Sequence, residues 1–311
     1  MKLNLSPAPH VHSSQTTRAL MLNVIIALIP CALAGIWIFG PGALIQVVLC
    51  VLSAVISEYL WQMLTGQKVR IDDLSAVVTG LIMALNMPAS APAWVGMVGS
   101  AFAIVIVKGL FGGLGDNFIN PALAARALLL AAWPKFMTVW VQPTGWQSGV
   151  DAMTAATPLS SPGNYTLTQL ALGSIPGTIG EVCKIAILIG FVYLVVTKTI
   201  TWRIPVIMVA SACLFCTLLG KNPAASVLSG GLLFGAVFMA TDYVTCPMSA
   251  VGQIIYAALA GLLVAVIRAY SSYPEGVTYG ILMMNLAAPV LDHFCVRRVY
   301  GHEKEAKKQN A

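Results

Sequence analysis

The sequence contains few charged residues. Only 9% of its 311 residues are Asp, Glu, Lys or Arg, whereas an ordinary soluble domain contains about 25%. Hydrophobic residues make up 58% of the chain, and the mean hydropathy is +0.85. These values exclude a water-soluble globule. The net charge of +6 does not indicate nucleic-acid binding, because the basic residues are scattered except for a cluster in the C-terminal tail.

The sequence also lacks the cysteine and histidine patterns of disulfide frameworks and metal sites. The seven cysteines lie mostly within apolar runs, which argues against disulfides. Cys213 and Cys216 have the spacing of a ligand pair, but no second pair accompanies them, so we interpret them as core residues. The four histidines lie near the chain ends, at His10, His12, His293 and His302. No metal site is therefore predicted.

Long apolar runs make up most of the chain. They are too continuous for the alternating strands of a membrane barrel, so helices are expected. The runs predict an all-α integral membrane protein with about ten transmembrane helices of roughly 20 residues each. The predicted helices span residues 20–39, 43–64, 74–87, 93–110, 118–133, 177–197, 202–219, 226–243, 249–268 and 276–295.

The two halves of the chain resemble each other. Residues 79–84 are similar to residues 230–235, and residues 104–108 are similar to residues 264–268. Because each half has an odd number of predicted spans, the halves must be inverted relative to each other, and we predict two inverted five-helix repeats. Short or interrupted helices at matching places in inverted repeats mark a central binding region in many transport folds.

One predicted connection is much longer than the others. It is rich in Pro, Gly, Thr and Ser, and a loop of this length is normally functional or disordered. The Lys and Arg residues of the short loops favour a cytoplasmic position for both termini, which places the long loop outside. The predicted organisation is a cytoplasmic N-terminal segment (1–19), a first repeat (20–133), an extracytoplasmic loop (134–176), a second repeat (177–296) and a basic cytoplasmic tail (297–311).

The long loop contains the segment Asp151-Ala152-Met153-Thr154-Ala155-Ala156-Thr157. Alone, this segment could be a simple turn, since a residue before proline is biased to extended geometry. It is similar, however, to the Asp-x-x-Ser/Thr-Gly/Ala-Ala-Thr flavinylation motif, in which a transferase moves FMN from FAD onto the last Thr through a phosphodiester bond. The resemblance implies covalent FMN on Thr157, with Asp151 and Thr154 as motif residues. Thr154 and Ala155 stand where Ser and Gly are common.

Other segments resemble the family of membrane subunits that includes RnfD and NqrB. They are residues 108–122, 240–245, 261–268, 273–277 and 297–302. The resemblance implies an electron-carrier subunit in a bacterial cytoplasmic membrane, with no complete activity of its own. Its complex would couple electron transfer between ferredoxin and NAD to Na⁺ or H⁺ translocation. Implied partners are the other subunits, including an extracytoplasmic flavoprotein subunit, a flavin transferase during maturation, and membrane lipid. A second, non-covalent flavin such as riboflavin is also implied.

Polar residues inside the predicted spans are candidates for the central binding region. Arg126 and Asp242 are intramembrane charges, which are costly and often functional. Each could form a structural helix-end contact, or could serve a flavin phosphate or an ion path. Glu58, near a predicted helix end, is interpreted as an interfacial residue. Further candidates for the same centre are Asn117, Asn120 and Thr241.

A second function fits part of the sequence. The inverted repeat alone would support a solute channel or transporter without a redox cofactor, because a fold does not fix a function. A covalent flavin survives denaturation of the protein, so its fluorescence on a denaturing gel distinguishes the two functions.

Overall fold

The structure is a computed structural model that describes residues 16–143, 146, 165–271 and 276–295. Within these ranges the secondary structure is helical and contains no β-strand, so the predicted all-α class is confirmed. The helices are α1 (Thr17–Phe39), α2 (Pro41–Leu64), α3 (Ser75–Leu85), α4 (Ala93–Phe102), α5 (Pro121–Ala132), α6 (Pro134–Met137), α7 (Leu167–Leu172), α8 (Lys184–Val196), α9 (Arg203–Leu218), α10 (Pro223–Leu228), α11 (Leu232–Phe238), α12 (Ala250–Tyr270) and α13 (Val277–Phe294). A 3₁₀ turn (Ile71–Asp73) precedes α3, and a π-helix (Ala103–Gly109) continues α4.

Three of these helices, α1, α2 and α12, are long and apolar enough to cross a membrane by length and composition. Shorter apolar helices of 10–17 residues are α3, α4 with its π-helix, α5, α8 and α9. Large apolar side chains such as Leu33, Trp37 and Ile56 remain exposed on α1 and α2, which suits contact with lipid. Each of the predicted apolar runs contains helix, but the number of spans stays a prediction.

Three predicted helices differ from the structure. The helix predicted at 177–197 begins only at Lys184, and the other two differ for local reasons. The predicted helix at 226–243 is divided into α10 and α11 at Gly230, whose positive φ of 65° suits glycine and interrupts a helix. The predicted helix at 118–133 starts later, because Asn120 is the N-cap and Pro121 occupies the first helical turn. The Asn120 side chain accepts the N–H groups of Ala122 and Leu123, as N-cap residues commonly do.

Glycines allow the long helices to pack closely. At Gly261 of α12, an added Cβ would lie 2.5 Å from the Met208 carbonyl oxygen and 2.8 Å from the Ala212 nitrogen of α9. At Gly190 of α8, an added Cβ would lie 2.5 Å from the Ala27 carbonyl oxygen of α1. Lipid gives helices no hydrophobic reason to associate, so close packing at small residues contributes much of the attraction.

The centre of the protein joins the two halves through backbone hydrogen bonds. The N–H of Gly180 donates to the Leu85 carbonyl (2.8 Å), and the N–H of Ile179 donates to the Met87 carbonyl (3.1 Å). Pro88 and Thr178 form an antiparallel bridge. The carbonyl of Leu85, the last residue of α3, has no partner within the helix and is thereby bonded by the segment that precedes α8.

We predict that Gly261→Ala destabilises the protein by about 1–3 kcal/mol, the usual cost of overpacking. The new methyl group meets the backbone of α9, which cannot move aside as a side chain can. The measurement is the thermal unfolding midpoint of the purified protein in detergent. Gly42→Ala is the matched control, since an added Cβ there has nothing within 4 Å. Equal midpoints for the two variants would contradict the close packing of α9 on α12.

Candidate functional site

A cavity, called here the central cavity, lies between the two halves of the chain. The cavity is partly open at its mouth. Apolar side chains from α1, α3 and α11, such as Val24, Ile82 and Phe238, line it. Its polar lining includes Thr79, Lys108, Asn117, Asn120, Thr241 and Asp242. An apolar cavity with a few polar groups is typical of a small-molecule binding site.

Asn120 lies where α5 begins and α11 ends. It is 5% exposed, and its Nδ2 donates to the Met239 carbonyl (3.4 Å) while its Oδ1 caps α5. Asn117 shapes the preceding turn by donating to the Ile119 carbonyl (3.1 Å). Both predicted residues therefore line the central cavity from the first half of the chain.

Asp242 lines the same cavity from the second half. Its Oδ1 accepts the N–H of Val244 (3.2 Å), and its Oδ2 accepts the Thr245 hydroxyl (3.4 Å). A side chain that bonds its own backbone two residues on forms an Asx-type turn, which fixes the direction of the carboxylate. The structure thus brings Asn117, Asn120, Thr241 and Asp242 together, although they lie in different halves.

Arg126 lies outside the central cavity lining. It is 3% exposed, and its guanidinium donates to the main-chain carbonyl (2.5 Å) and the side-chain Oδ1 (2.9 Å) of Asn86. Asn86 follows the last residue of α3, so a positive charge stands at the carbonyl end of that helix, where it is favourable. This is the helix-end contact considered above. A role of Arg126 toward a ligand stays a prediction.

The flavinylation motif lies outside the described residues. Asp151, Thr154 and Thr157 belong to the undescribed part of the long loop, so their predicted roles stay predictions. The described start of the loop packs against α4. The Trp94 ring contacts the rings of Trp133 and Phe136 edge-on, with centroids 5.3 and 5.9 Å apart.

Glu58, interpreted as an interfacial residue, is buried within the protein and paired, and its depth in the membrane stays a prediction. Its carboxylate is buried and lies 2.6 Å from Lys108 Nζ, with both side chains 5% exposed. Lys108 also donates to the Ser75 hydroxyl (2.6 Å). Lys108 belongs to the π-helix that follows α4, and π-helical turns often occur at functional sites. The available signal was the presence of opposite charges in two apolar runs, which sequence reasoning did not pair.

Sequence reasoning also missed a buried polar contact behind Asn120. The Tyr256 hydroxyl of α12 lies 2.7 Å from the side-chain amide of Asn285 in α13. In the amide orientation that satisfies Asn285, its oxygen accepts the backbone N–H of Asn120 (3.1 Å). This contact links α5 to α12 and α13. A buried Tyr and Asn in apolar helices were its only signal, since such groups require partners.

We predict that Lys108→Met or Glu58→Gln destabilises the protein by about 3–5 kcal/mol, because each change leaves one buried charge without its partner. The double variant removes both charges and is expected to recover most of the loss. Thermal unfolding of the four proteins forms a double-mutant cycle. Lys135→Met, at an exposed lysine, is the control. Losses that simply add in the double variant would show that the two groups do not depend on each other.

Comparison with known proteins matches the chain over nearly its whole length. The sequence model of the "NQR2, RnfD, RnfE family" matches residues 4–301. The D subunit of a Na(+)-translocating ferredoxin:NAD(+) oxidoreductase complex, from Acetobacterium woodii, is 45% identical and is aligned over 100% of this chain and 99% of its own length. The D subunit of a proton-translocating ferredoxin:NAD(+) oxidoreductase complex, from Clostridium ljungdahlii, is 38% identical over 93% of each chain. The D subunit of an ion-translocating oxidoreductase complex, from Alcanivorax borkumensis, is 36% identical over 100% of each chain.

Proposed function

The chain belongs to the NQR2, RnfD, RnfE family, and from this premise we propose that it is the membrane electron-carrier subunit of an ion-translocating oxidoreductase complex. The complex couples electron transfer between ferredoxin and NAD to the movement of Na⁺ or H⁺. One observation carries the proposal: the chain contains the complete motif from Asp151 to Thr157 and aligns end to end with subunits of such complexes. The chain is one part of a translocase and has no complete activity alone.

Thr157 is the proposed attachment site of FMN. Its hydroxyl forms the phosphodiester bond, Asp151 and Thr154 complete the motif, and the small Ala155 and Ala156 leave room for a flavin transferase. The bound flavin supplies one- and two-electron redox chemistry, while the protein supplies its position and electrostatic surroundings. A covalent tether gives the flavin a high local concentration without repeated binding. Its redox partner on the extracytoplasmic side is a flavoprotein subunit of the complex.

The central cavity suits a second, non-covalent flavin such as riboflavin. The rings of a flavin need apolar surfaces, which Ile82 and Phe238 provide, and its pyrimidine edge needs amide or hydroxyl partners. Asn117, Asn120 and Thr241 offer such groups on the cavity lining. Asn120 and Asp242 are thus proposed cofactor contacts. Arg126 contributes indirectly, because it bonds Asn86 at the end of α3.

We also propose ten spans arranged as two inverted five-helix repeats. The cations at matching positions of the two halves each contact the start of the third predicted helix of their half, which supports the repeat. Lys108 bonds the Ser75 hydroxyl at the start of α3 (2.6 Å), and Arg268 bonds the Ser226 carbonyl of α10 (2.5 Å). In addition, α1 packs on α8 and α5 packs on α13, which pairs the first helix of each half and the last helix of each half.

The coupling ion is Na⁺ or H⁺. The relative from Acetobacterium woodii is named as part of a Na(+)-translocating complex, and that from Clostridium ljungdahlii as part of a proton-translocating one. Both align over at least 93% of this chain. The features shared by the family therefore suit either ion, and the proposal covers both.

We predict that Thr157→Ala abolishes the ultraviolet-excited flavin fluorescence of the denatured protein on a gel, because no other hydroxyl in the motif is the acceptor. The protein should still insert into the membrane, since the changed residue belongs to a polar loop. Thr138→Ala, in the same loop, is the control and should keep the fluorescence.

A fluorescent Thr157→Ala band would place the attachment site elsewhere. A wild-type band without fluorescence, and without an FMN-sized mass adduct on the peptide from the long loop, would instead favour the channel or transporter.

We predict that a cysteine introduced at Trp146 is labelled from outside intact cells by a membrane-impermeant maleimide. Trp146 is 55% exposed and belongs to the long loop that the charge bias places outside. A cysteine introduced at Lys304 in the tail should be labelled only after permeabilisation. The opposite labelling pattern would invert the proposed topology.

A further inference from the structure

A second cavity lies on the other side of the buried ion pair and is called here the vestibule. Its lining includes Glu58, Gln62, Arg70 and Asp73, and its empty volume is about 1050 Å³ including open solvent. Leu114 lines both the vestibule and the central cavity. The two cavities are therefore neighbours, separated by a wall in which charged and hydroxyl groups lie.

A continuous chain of polar contacts crosses this wall. The Lys108 ammonium donates to Glu58 Oε1 (2.6 Å) and to the Ser75 hydroxyl (2.6 Å), and Ser75 in turn donates to Asp73 (2.7 Å). Lys108 and Ser75 line the central cavity, whereas Glu58 and Asp73 line the vestibule. The charges are thus ordered, with the cation facing the central cavity and both carboxylates on the far side.

We propose that Lys108 is a positioning residue that sets the reduction potential of the non-covalent flavin in the central cavity, an inference that rests on the proposed function. Each electron that a flavin accepts from its redox partner adds one negative charge. A buried cation at the cavity lining favours that charge, because Coulomb interactions are strong where water is excluded. Glu58 keeps the ammonium at the wall and, being farther from the cavity, weakens its field without cancelling it.

Asp242 acts in the opposite direction. It is the charged residue, besides Lys108, on the described lining of the central cavity, and it faces the cavity from the second half of the chain. Both of its oxygens accept hydrogen bonds from its own turn, which offset part of the cost of burying the carboxylate. The flavin would therefore lie between a cation from one half and an anion from the other. Removing either charge shifts the potential, and the two shifts have opposite signs.

The test is a redox titration of the purified complex, followed by flavin absorbance. The non-covalent flavin in the central cavity is called here the inner flavin. Lys108→Met is expected to shift the equilibrium between its oxidised and reduced forms about tenfold toward the oxidised form, which lowers a one-electron potential by about 59 mV. Lys108→Arg keeps the charge and should restore most of the potential. Asp242→Asn keeps the shape of the turn and should raise the potential. The potential of the flavin on Thr157 serves as an internal reference and should not change.

Lys184→Met is the matched control, because Lys184 is similarly buried but bonds the carbonyls of Glu181 and Gly230 and lines neither cavity. Its inner-flavin potential should equal that of the wild type. If Lys108→Met alone does not fold, the Lys108→Met, Glu58→Gln double variant replaces it and should also lower the potential, since the nearer charge dominates.

Two results would overturn the proposal. One is an unchanged reduction potential of the inner flavin in Lys108→Met, or in the double variant if that replaces it. The other is a shift of the same sign for Lys108→Met and Asp242→Asn, because a general structural disturbance has no reason to follow the sign of the charge. A wild-type complex in which this chain holds no second flavin would instead reject the cavity assignment in the proposed function, and the titration would show this directly.

Discussion

Helices that end inside a membrane protein leave backbone groups that lipid cannot satisfy. This constraint governs the centre of the structure, where α3 and α11 end and α5 begins. Arg126 and the segment at 179–180 bond the carbonyls of residues 85–87 at the end of α3. Asn120 bonds the first amides of α5 and the Met239 carbonyl. Asn120 also faces the central cavity. A polar group that a ligand would meet in the central cavity is therefore also a group that caps an interrupted helix.

The buried Lys108 and the half-buried Arg268 follow the same constraint with different partners in the two halves. Lys108 is neutralised by the carboxylate of Glu58 from α2, whereas Arg268 donates to the main-chain carbonyls of Ser226 and Ser229. Lys108 contacts Ser75, near the start of the third predicted helix of the first half (74–87). Arg268 contacts Ser226, at the start of the third predicted helix of the second half (226–243). The contact of Lys108 places a full ion pair between two cavities.

The sequence predicted the features that depend on local patterns. Apolar runs predicted where helices form, because burial in lipid selects for continuous hydrophobicity. The motif ending at Thr157 is also local, because a transferase would recognise it as one continuous segment. Features that depend on distant partners were missed. Glu58 and Lys108 are 50 residues apart, and the Asn285 contact with Tyr256 joins two helices. The break at Gly230 and the late start of α5 at Asn120 were missed because caps and glycine φ values shift helix ends within an apolar run.

In the proposed arrangement the two flavins are retained by different means for a physical reason. The central cavity is enclosed by α1, α3, α5, α8 and α11, so apolar contact and a few amide groups can hold a ligand there. A cofactor in a polar loop lacks such walls and would exchange with solvent, which makes a covalent bond to Thr157 the effective restraint. The helix α3, whose 11 residues rise about 16 Å, lines the central cavity. Ser75, at the start of α3, lies at the cavity, and the last carbonyls of α3 are bonded by the segment that follows the loop. Because both ends of this short helix are bonded, the cavity lining at Ser75 is held in a fixed place relative to the segment at 179–180.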